Sequence, residues 1–149
     1  VALPRLYNAY GPRDDFSWET SHVIPALIRK VVEGIDPVKV WGDGSQTRSF
    51  LYVSDFVAGL MLILEKYPRC DPVNIGSEEE ITVTDLIGLI TKLSGSQASI
   101  VYEYDKPRGQ PRRIGNYSKA REVLGFQTQV SLVQGLERTI AWYRDHRGL

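Results

Sequence analysis

Short strand-like segments alternate with amphipathic segments along nearly the whole chain, and this alternation most constrains the fold. Runs rich in branched and aromatic residues, such as VKVW and PVNIG, predict strands. Between these runs, apolar residues recur three or four positions apart, which predicts helices that bury one face. Alternating elements with short connections are typical of an α/β fold.

Residues suited to helix ends set the expected helix boundaries. Ser21 is predicted to cap a helix that ends near Gly34, and Thr82 with Asp85 resembles a helix-start box. Further helices are expected from Ser54 to Glu65, from Ser118 to Leu124, and after Ser131, where Val133, Leu136, Ile140 and Tyr143 should face inward.

The glycine-rich segment GDGSQT lies between two strand-like runs, VKVW and SFLYV, and predicts a tight turn. We therefore expect these two strands to form a hairpin-like excursion. The chain begins with a strand-like pattern, VALPRLYNAYGP, and without an initiator methionine, which is typical of a chain cut within a fold. Residues 1–7 and the VNIG strand are accordingly expected to be edge members of a parallel sheet, partly uncovered and prone to self-association.

The overall composition narrows the class of protein. The 149 residues, 42% of them hydrophobic, predict a single unit with one sizeable core. Eighteen basic and eighteen acidic residues balance, which argues against nucleic acid as the main partner. A single cysteine and no signal peptide or membrane-spanning stretch favour a cytoplasmic protein, and two distant histidines offer no metal site.

Basic residues in two places could hold an anionic ligand. Arg48 follows the glycine-rich turn, and a second loop carries Lys106, Arg108, Arg112 and Arg113. Arginine can grip phosphate oxygens two at a time, so convergence of the two places would form a diphosphate clamp; the alternative is a solvated charged surface. Trp41 could stack on a nucleobase, although an aromatic residue at the end of a strand is also typical of a core.

His22 is the only histidine away from the carboxy terminus, and its imidazole can exchange a proton near neutral pH. No partner suited to a catalytic pair is evident near it in the sequence, so a structural role is the alternative. A glycine-rich dinucleotide fingerprint and a GxSxG elbow are both absent from the chain.

Several segments together resemble the extended short-chain dehydrogenases, also called the NAD-dependent epimerase/dehydratase family. They are RLYNAYGP, SHVIPALIRK, VWGDGSQTRSFLYVSD, VNIGS, KPRGQPRR and SLVQGLERTIAWY, in the order in which that family has them. The resemblance implies the C-terminal portion of such an enzyme, in which residues 1–10 and 51–76 complete the Rossmann sheet. Residues 11–50 and 77–149 would then form the small α/β substrate-binding domain.

The resemblance also implies roles for particular residues. His22 matches a histidine that acts as an acid in epimerisation, and Leu6, Asn8 and Ala9 match positions beside the cofactor. The positions that would hold the nucleotide and its diphosphate are Lys30, Trp41, Arg48, Lys106 and Arg108. Lys30 stands at a position where such a synthase can carry arginine, and lysine would replace a bidentate contact with a point charge.

The segments are most similar to the GDP-L-fucose synthase branch, which acts on a GDP-4-keto-6-deoxymannose. This branch implies a nucleotide-sugar substrate, NADP or NAD bound mainly by an upstream half, and a homodimeric full-length enzyme. The tyrosine and lysine of its catalytic motif would lie upstream, so the chain alone is expected to be inactive. Two alternatives stay open: an epimerase or dehydratase acting on a UDP- or dTDP-sugar, and a non-catalytic remnant that binds a nucleotide or a protein.

Overall fold

The computed structural model describes residues 1–146. The helices are α1 (Val23–Val32), α2 (Val53–Lys66), α3 (Val83–Ser94), α4 (Ser118–Leu124) and α5 (Leu132–Asp145). The strands are β1 (Pro4–Leu6), β2 (Ala9–Tyr10), β3 (Val38–Trp41), β4 (Thr47–Ser49), β5 (Leu51–Tyr52), β6 (Val73–Ile75), β7 (Glu80–Thr82), β8 (Ile100–Glu103) and β9 (Arg112–Arg113). The predicted α/β class is confirmed.

Parallel pairing between distant segments dominates the strand topology. β1 pairs with β6, β2 with β5, and β3 with β8, all in parallel. β4 lies between β7, which is antiparallel to it, and β9, which is parallel to it. The predicted hairpin between VKVW and SFLYV is therefore wrong. Local turn residues do not reveal that each strand finds its partner far along the chain.

Side-chain caps explain where α3 and α5 begin, but not where α1 begins. Thr82 accepts the backbone N–H of Asp85 at 2.9 Å, and Ser131 forms the expected reciprocal box with Gln134. The capping role predicted for Ser21 is wrong, because His22 is the cap residue of α1 and makes no side-chain cap. Pro25 in the first turn lacks the amide hydrogen that a capping side chain commonly binds, so a side-chain cap would gain little there.

Two apolar clusters hold the elements together. The larger joins α1, α3 and α5 to β3, and Leu136, Ile140 and Tyr143 of α5 are buried in it as expected. Val133 is 40% exposed, contrary to expectation, because Leu132 takes the inward position in the first turn of α5. The smaller cluster packs β5, β6 and α2 against α4.

One face of α2 carries large apolar side chains that the described residues leave exposed. Val57, Met61 and Leu64 form this α2 stripe, and β1 is exposed along its length. Residues 1–7 and the VNIG strand do contribute to parallel pairing, through β1 and β6. The exposure expected of both strands is wrong for β6, because Val73 and Ile75 are buried in the smaller cluster. Self-association through such surfaces stays a prediction. Within residues 1–146, every helix is too short or too polar to cross a bilayer.

Candidate functional site

A cavity of about 550 Å³ opens where β2, the loop that follows it, the start of α1 and strand β4 meet. Its polar wall is formed by Asn8, Asp14, His22, Arg48 and Arg113, with Ala9 beside them. The site thus gathers residues from four separate parts of the chain. A cavity with a few convergent polar groups is the usual form of a small-molecule site.

The basic wall consists of two arginines on neighbouring strands. Arg48 of β4 and Arg113 of β9 are register partners, so their side chains leave the sheet on the same side. Arg48 donates from Nη1 to the carbonyl oxygens of Thr47 at 2.7 Å and Gln110 at 2.9 Å. Partial burial and the nearby charge of Arg113 both lower the pKa of Arg48. Two like charges side by side favour an anion between them.

Arg113 was not singled out from its neighbours by the sequence. Adjacent residues of a strand point to opposite faces, so Arg112 and Arg113 have different environments. Arg112 forms an ion pair with Glu80 at 2.9 Å, whereas Arg113 lines the main cavity and has no ion pair among residues 1–146. Both arginines also border a second cavity beside the main one. Strand alternation in the motif PRRIG is the signal that could have separated them.

His22 and Asn8 also line the main cavity. His22 immediately precedes α1, and its backbone carbonyl accepts the N–H of Ala26 at 2.9 Å. Asn8 adopts a positive φ of 41° and donates its side-chain amide to the Ser49 carbonyl at 2.9 Å. This bond ties the segment between β1 and β2 to the arginine-bearing strand. The cavity therefore brings together an imidazole-bearing residue and two arginines.

Asp14 is a second titratable residue of the cavity, and the sequence reasoning did not identify it. Burial raises the pKa of its carboxyl group, while the N–H of Asp15 and the charge of His22 act in the opposite direction. The RDDF motif eight residues before His22 was the available signal. Its significance depends on a loop conformation that spacing alone does not predict.

The residues expected beside a cofactor border two adjoining cavities. Ala9 lines the first cavity, and Leu6 lines a second one of about 570 Å³ together with Arg5 and Gln110. Asn8 belongs to both cavities. The three positions are thus brought together, and the second cavity adds further basic side chains to the surface around them.

Four of the expected nucleotide-binding residues lie outside the main cavity. Lys30 donates from Nζ to the Lys39 carbonyl at 3.1 Å, and burial lowers the pKa of Lys30. Lys106 is exposed. Arg108 and Trp41, the other two, flank the turn that follows β3.

The turn after β3 forms a separate surface. Trp41 is 58% exposed, so it is not a core residue, which was the alternative reading. Arg108 pairs with Asp43 at 2.7 Å and lies against Gly42, where a Cβ atom would be 2.3 Å from the Arg108 Cγ. Glycine at this position, with φ of 76°, thus permits both the turn and the close approach of Arg108.

No group of three or more histidine, cysteine or acidic side chains within residues 1–146 could hold a metal ion. The polar side chains that line the main cavity are one imidazole, one carboxyl group, one amide, one phenol and two guanidinium groups. Such a set can bind an anion and transfer a proton.

The chain combines parallel strand pairs with a cavity lined by two arginines. Both features are found in nucleotide-binding α/β enzymes. The chain belongs to the NAD dependent epimerase/dehydratase family, whose model matches residues 1–76. The membership predicted from the sequence is confirmed.

Comparisons with known proteins agree with this assignment. The chain is 39% identical over 143 residues to a probable GDP-L-fucose synthase of Oryza sativa, covering 93% of this chain and 43% of that relative. It is 38% identical to a dTDP-4-dehydro-6-deoxy-D-allose reductase of a Streptomyces species, covering 99% of this chain and 44% of the relative. Among solved structures it resembles a UDP-glucose 4-epimerase of Thermotoga maritima, bound to UDP-glucose, with a TM-score of 0.87 and 32% identity. That match covers 95% of this chain and 45% of the epimerase.

Proposed function

We propose that the chain is the nucleotide-sugar-binding part of an NAD(P)-dependent epimerase and reductase that acts on a GDP-linked 4-keto-6-deoxy sugar. The chain spans less than half the length of the relatives it matches, so this activity would belong to a longer protein. Similarity to a GDP-L-fucose synthase supports the substrate class. The proposed units are residues 1–10 with 51–76 for the Rossmann part, and residues 11–50 with 77–149 for the substrate part.

The paired arginines carry the proposal. Arg48 and Arg113 are aligned on adjacent strands and line the same cavity as His22. A diphosphate offers several charged oxygens a few ångströms apart, which suits two neighbouring guanidinium groups better than a single phosphate would. Bound in this way, the nucleotide would direct its sugar toward His22 and Asn8.

Each remaining site residue has a defined task in this proposal. His22 would donate a proton to the sugar carbon during epimerisation, because it lines the cavity that would hold the sugar. Trp41 and Arg108 would contact the base from the turn after β3, and Lys30 and Lys106 would add positive charge nearby. Leu6, Asn8 and Ala9 would border the nicotinamide, which supplies hydride when it is bound.

A second candidate is an enzyme acting on a dTDP- or UDP-sugar. The similarity to the dTDP-4-dehydro-6-deoxy-D-allose reductase favours it almost equally. Calorimetry of the chain with GDP, UDP and dTDP separates the two candidates, since we expect GDP to bind most tightly. Tightest binding of dTDP or UDP would replace the GDP assignment, and no binding of any of them would contradict a nucleotide-binding role and leave only the protein-binding remnant.

The role of His22 requires a complete enzyme. We propose a chimera in which this chain replaces the matching part of the rice GDP-L-fucose synthase, supplied with NADPH and the keto sugar. His22→Ala should abolish epimerisation in an active chimera, whereas His146→Ala, which alters the other histidine, should not. Full epimerisation by the His22→Ala chimera would remove the acid role.

A further inference from the structure

The loop from residue 12 to residue 22 brings Asp14 to the cavity that His22 lines. The N–H of Asp14 donates to the Gly11 carbonyl at 3.3 Å, and Arg13 adopts a positive φ of 68°. A positive φ is unusual for a residue with a side chain, so this turn is a specific conformation. This turn places Asp14 on the wall of the main cavity.

Contacts farther along the same loop fix its position. The Arg29 guanidinium of α1 donates to the Phe16 carbonyl and lies 3.8 Å from the centre of the Trp18 ring. Phe16 stacks on Tyr143 of α5, with ring centres 4.5 Å apart. Because these contacts join the loop to two core helices, the placement of Asp14 does not require a ligand.

Asp14 and His22 have complementary groups that lack partners. Oδ1 of Asp14 accepts the N–H of Asp15 at 2.8 Å, but Oδ2 is buried without a hydrogen bond in the described part of the chain. A buried oxygen of this kind is costly, so it calls for a donor. The ring of His22 also makes no hydrogen bond within residues 1–146, and an imidazole N–H is such a donor.

We propose that Asp14 is the positioning residue of His22. The two residues line the same cavity without a hydrogen bond between them in this structure, and a rotation of the His22 side chain would let the free Oδ2 accept one ring N–H and determine which imidazole nitrogen faces the substrate. The functional meaning of this Asp14–His22 pairing rests on the proposed function, in which His22 donates a proton to the sugar. An acid of this kind must present a defined nitrogen, and a carboxylate on the other nitrogen is the usual means of selecting it.

The charges around His22 agree with this pairing. Asp14 and Asp15 of the loop both interact electrostatically with His22, and Arg48 and Arg113 share its cavity from β4 and β9. Asp15 is committed elsewhere, because hydrogen bonds from Thr20 and Ser17 hold its carboxylate and lower its pKa. Asp14 is therefore the acidic neighbour of His22 with an oxygen still available.

Nuclear magnetic resonance on the 149-residue chain tests the coupling without any nucleotide. The carboxyl carbon of Asp14 is titrated in the wild type, in His22→Gln and in His146→Gln. The pKa of Asp14 should rise further in His22→Gln, because the charge of His22 lowers it, and should not move in the matched control. An identical Asp14 titration in His22→Gln and wild type would overturn the pairing.

Nitrogen chemical shifts of the His22 ring test the orientation. One tautomer should predominate in the neutral ring of the wild type, and Asp14→Asn should remove that preference. Asp14→Glu, which keeps a carboxylate, should retain part of it, and Asp15→Asn should retain it fully. A tautomer ratio unchanged by Asp14→Asn would refute the positioning role.

These outcomes are independent of the proposed function. Failure of GDP to bind would leave the Asp14–His22 coupling measurable, and loss of the coupling would leave nucleotide binding by the arginines intact. If Asp14→Asn fails to fold, as amide spectra would show, the titration of Asp14 in His22→Gln still decides the question.

Discussion

Replacing Arg113 by glutamine is the sharpest test of the arginine pair. Arg113 makes no ion pair among residues 1–146, so its removal breaks no internal salt bridge. It also relieves the repulsion that lowers the pKa of Arg48. We therefore expect the unfolding free energy of the unliganded chain to stay the same or to rise slightly.

The affinity for GDP, in contrast, should fall when Arg113 is replaced by glutamine. A charge-assisted hydrogen bond contributes about 1.5 to 3 kcal/mol, and we take the lower end because Arg113 is exposed. A loss of about 1.4 kcal/mol corresponds to a tenfold weaker Kd. Removal of one phosphate-binding charge should also reduce the dependence of the affinity on ionic strength.

Arg112→Gln is the matched control, since it alters the adjacent residue of the same strand. Arg112 is paired with Glu80 and does not line the main cavity, so its loss should leave the Kd for GDP within about twofold, less than 0.5 kcal/mol. Isothermal titration calorimetry of both variants at two salt concentrations measures these effects. Equal weakening by both variants would refute the assignment of Arg113 to the anion site and leave only a diffuse surface charge.

Four further predictions concern stability, pH, the base and association. Leu136 is fully buried, so Leu136→Ala should lower the unfolding free energy, measured by urea denaturation, by about 2 to 5 kcal/mol. Val133 on the same helix is 40% exposed, so Val133→Ala should lower it by less than about 0.5 kcal/mol. Similar losses in the two variants would contradict the packing of α5. Native Asp14 binds its proton more tightly than the unfolded chain, so stability should fall as pH rises from 3.8 through the native pKa, and Asp14→Asn should remove this fall. Trp41→Ala should weaken GDP binding by about 1 to 3 kcal/mol if the base stacks there, and calorimetry showing no change would exclude stacking. Met61→Lys should reduce concentration-dependent self-association in sedimentation experiments, and a wild type that stays monomeric would contradict association through the α2 stripe.

Local patterns predicted most of the helices because the causes of those helices are local. Thr82 and Ser131 cap α3 and α5 through backbone amides three residues away, and Gly95 and Gly125 end α3 and α4 with positive φ. α1 was correct in extent but not in its cap, because Pro25 removes an amide that a cap would use. Strand partners were not predictable in the same way, since β3 and β8 are joined by hydrogen bonds across about sixty residues of chain.

The same distinction between local and long-range causes applies to the residues of the functional site. The sequence by itself determined the α/β class, the family and the presence of His22, Asn8 and Arg48, because motif order and residue type carry that information. Only the tertiary structure decided that Arg113 rather than Arg112 joins Arg48, and that Asp14 shares the cavity of His22. The physical reason is that strand register and loop conformation determine where a side chain points, and both depend on contacts between residues that are distant in the sequence.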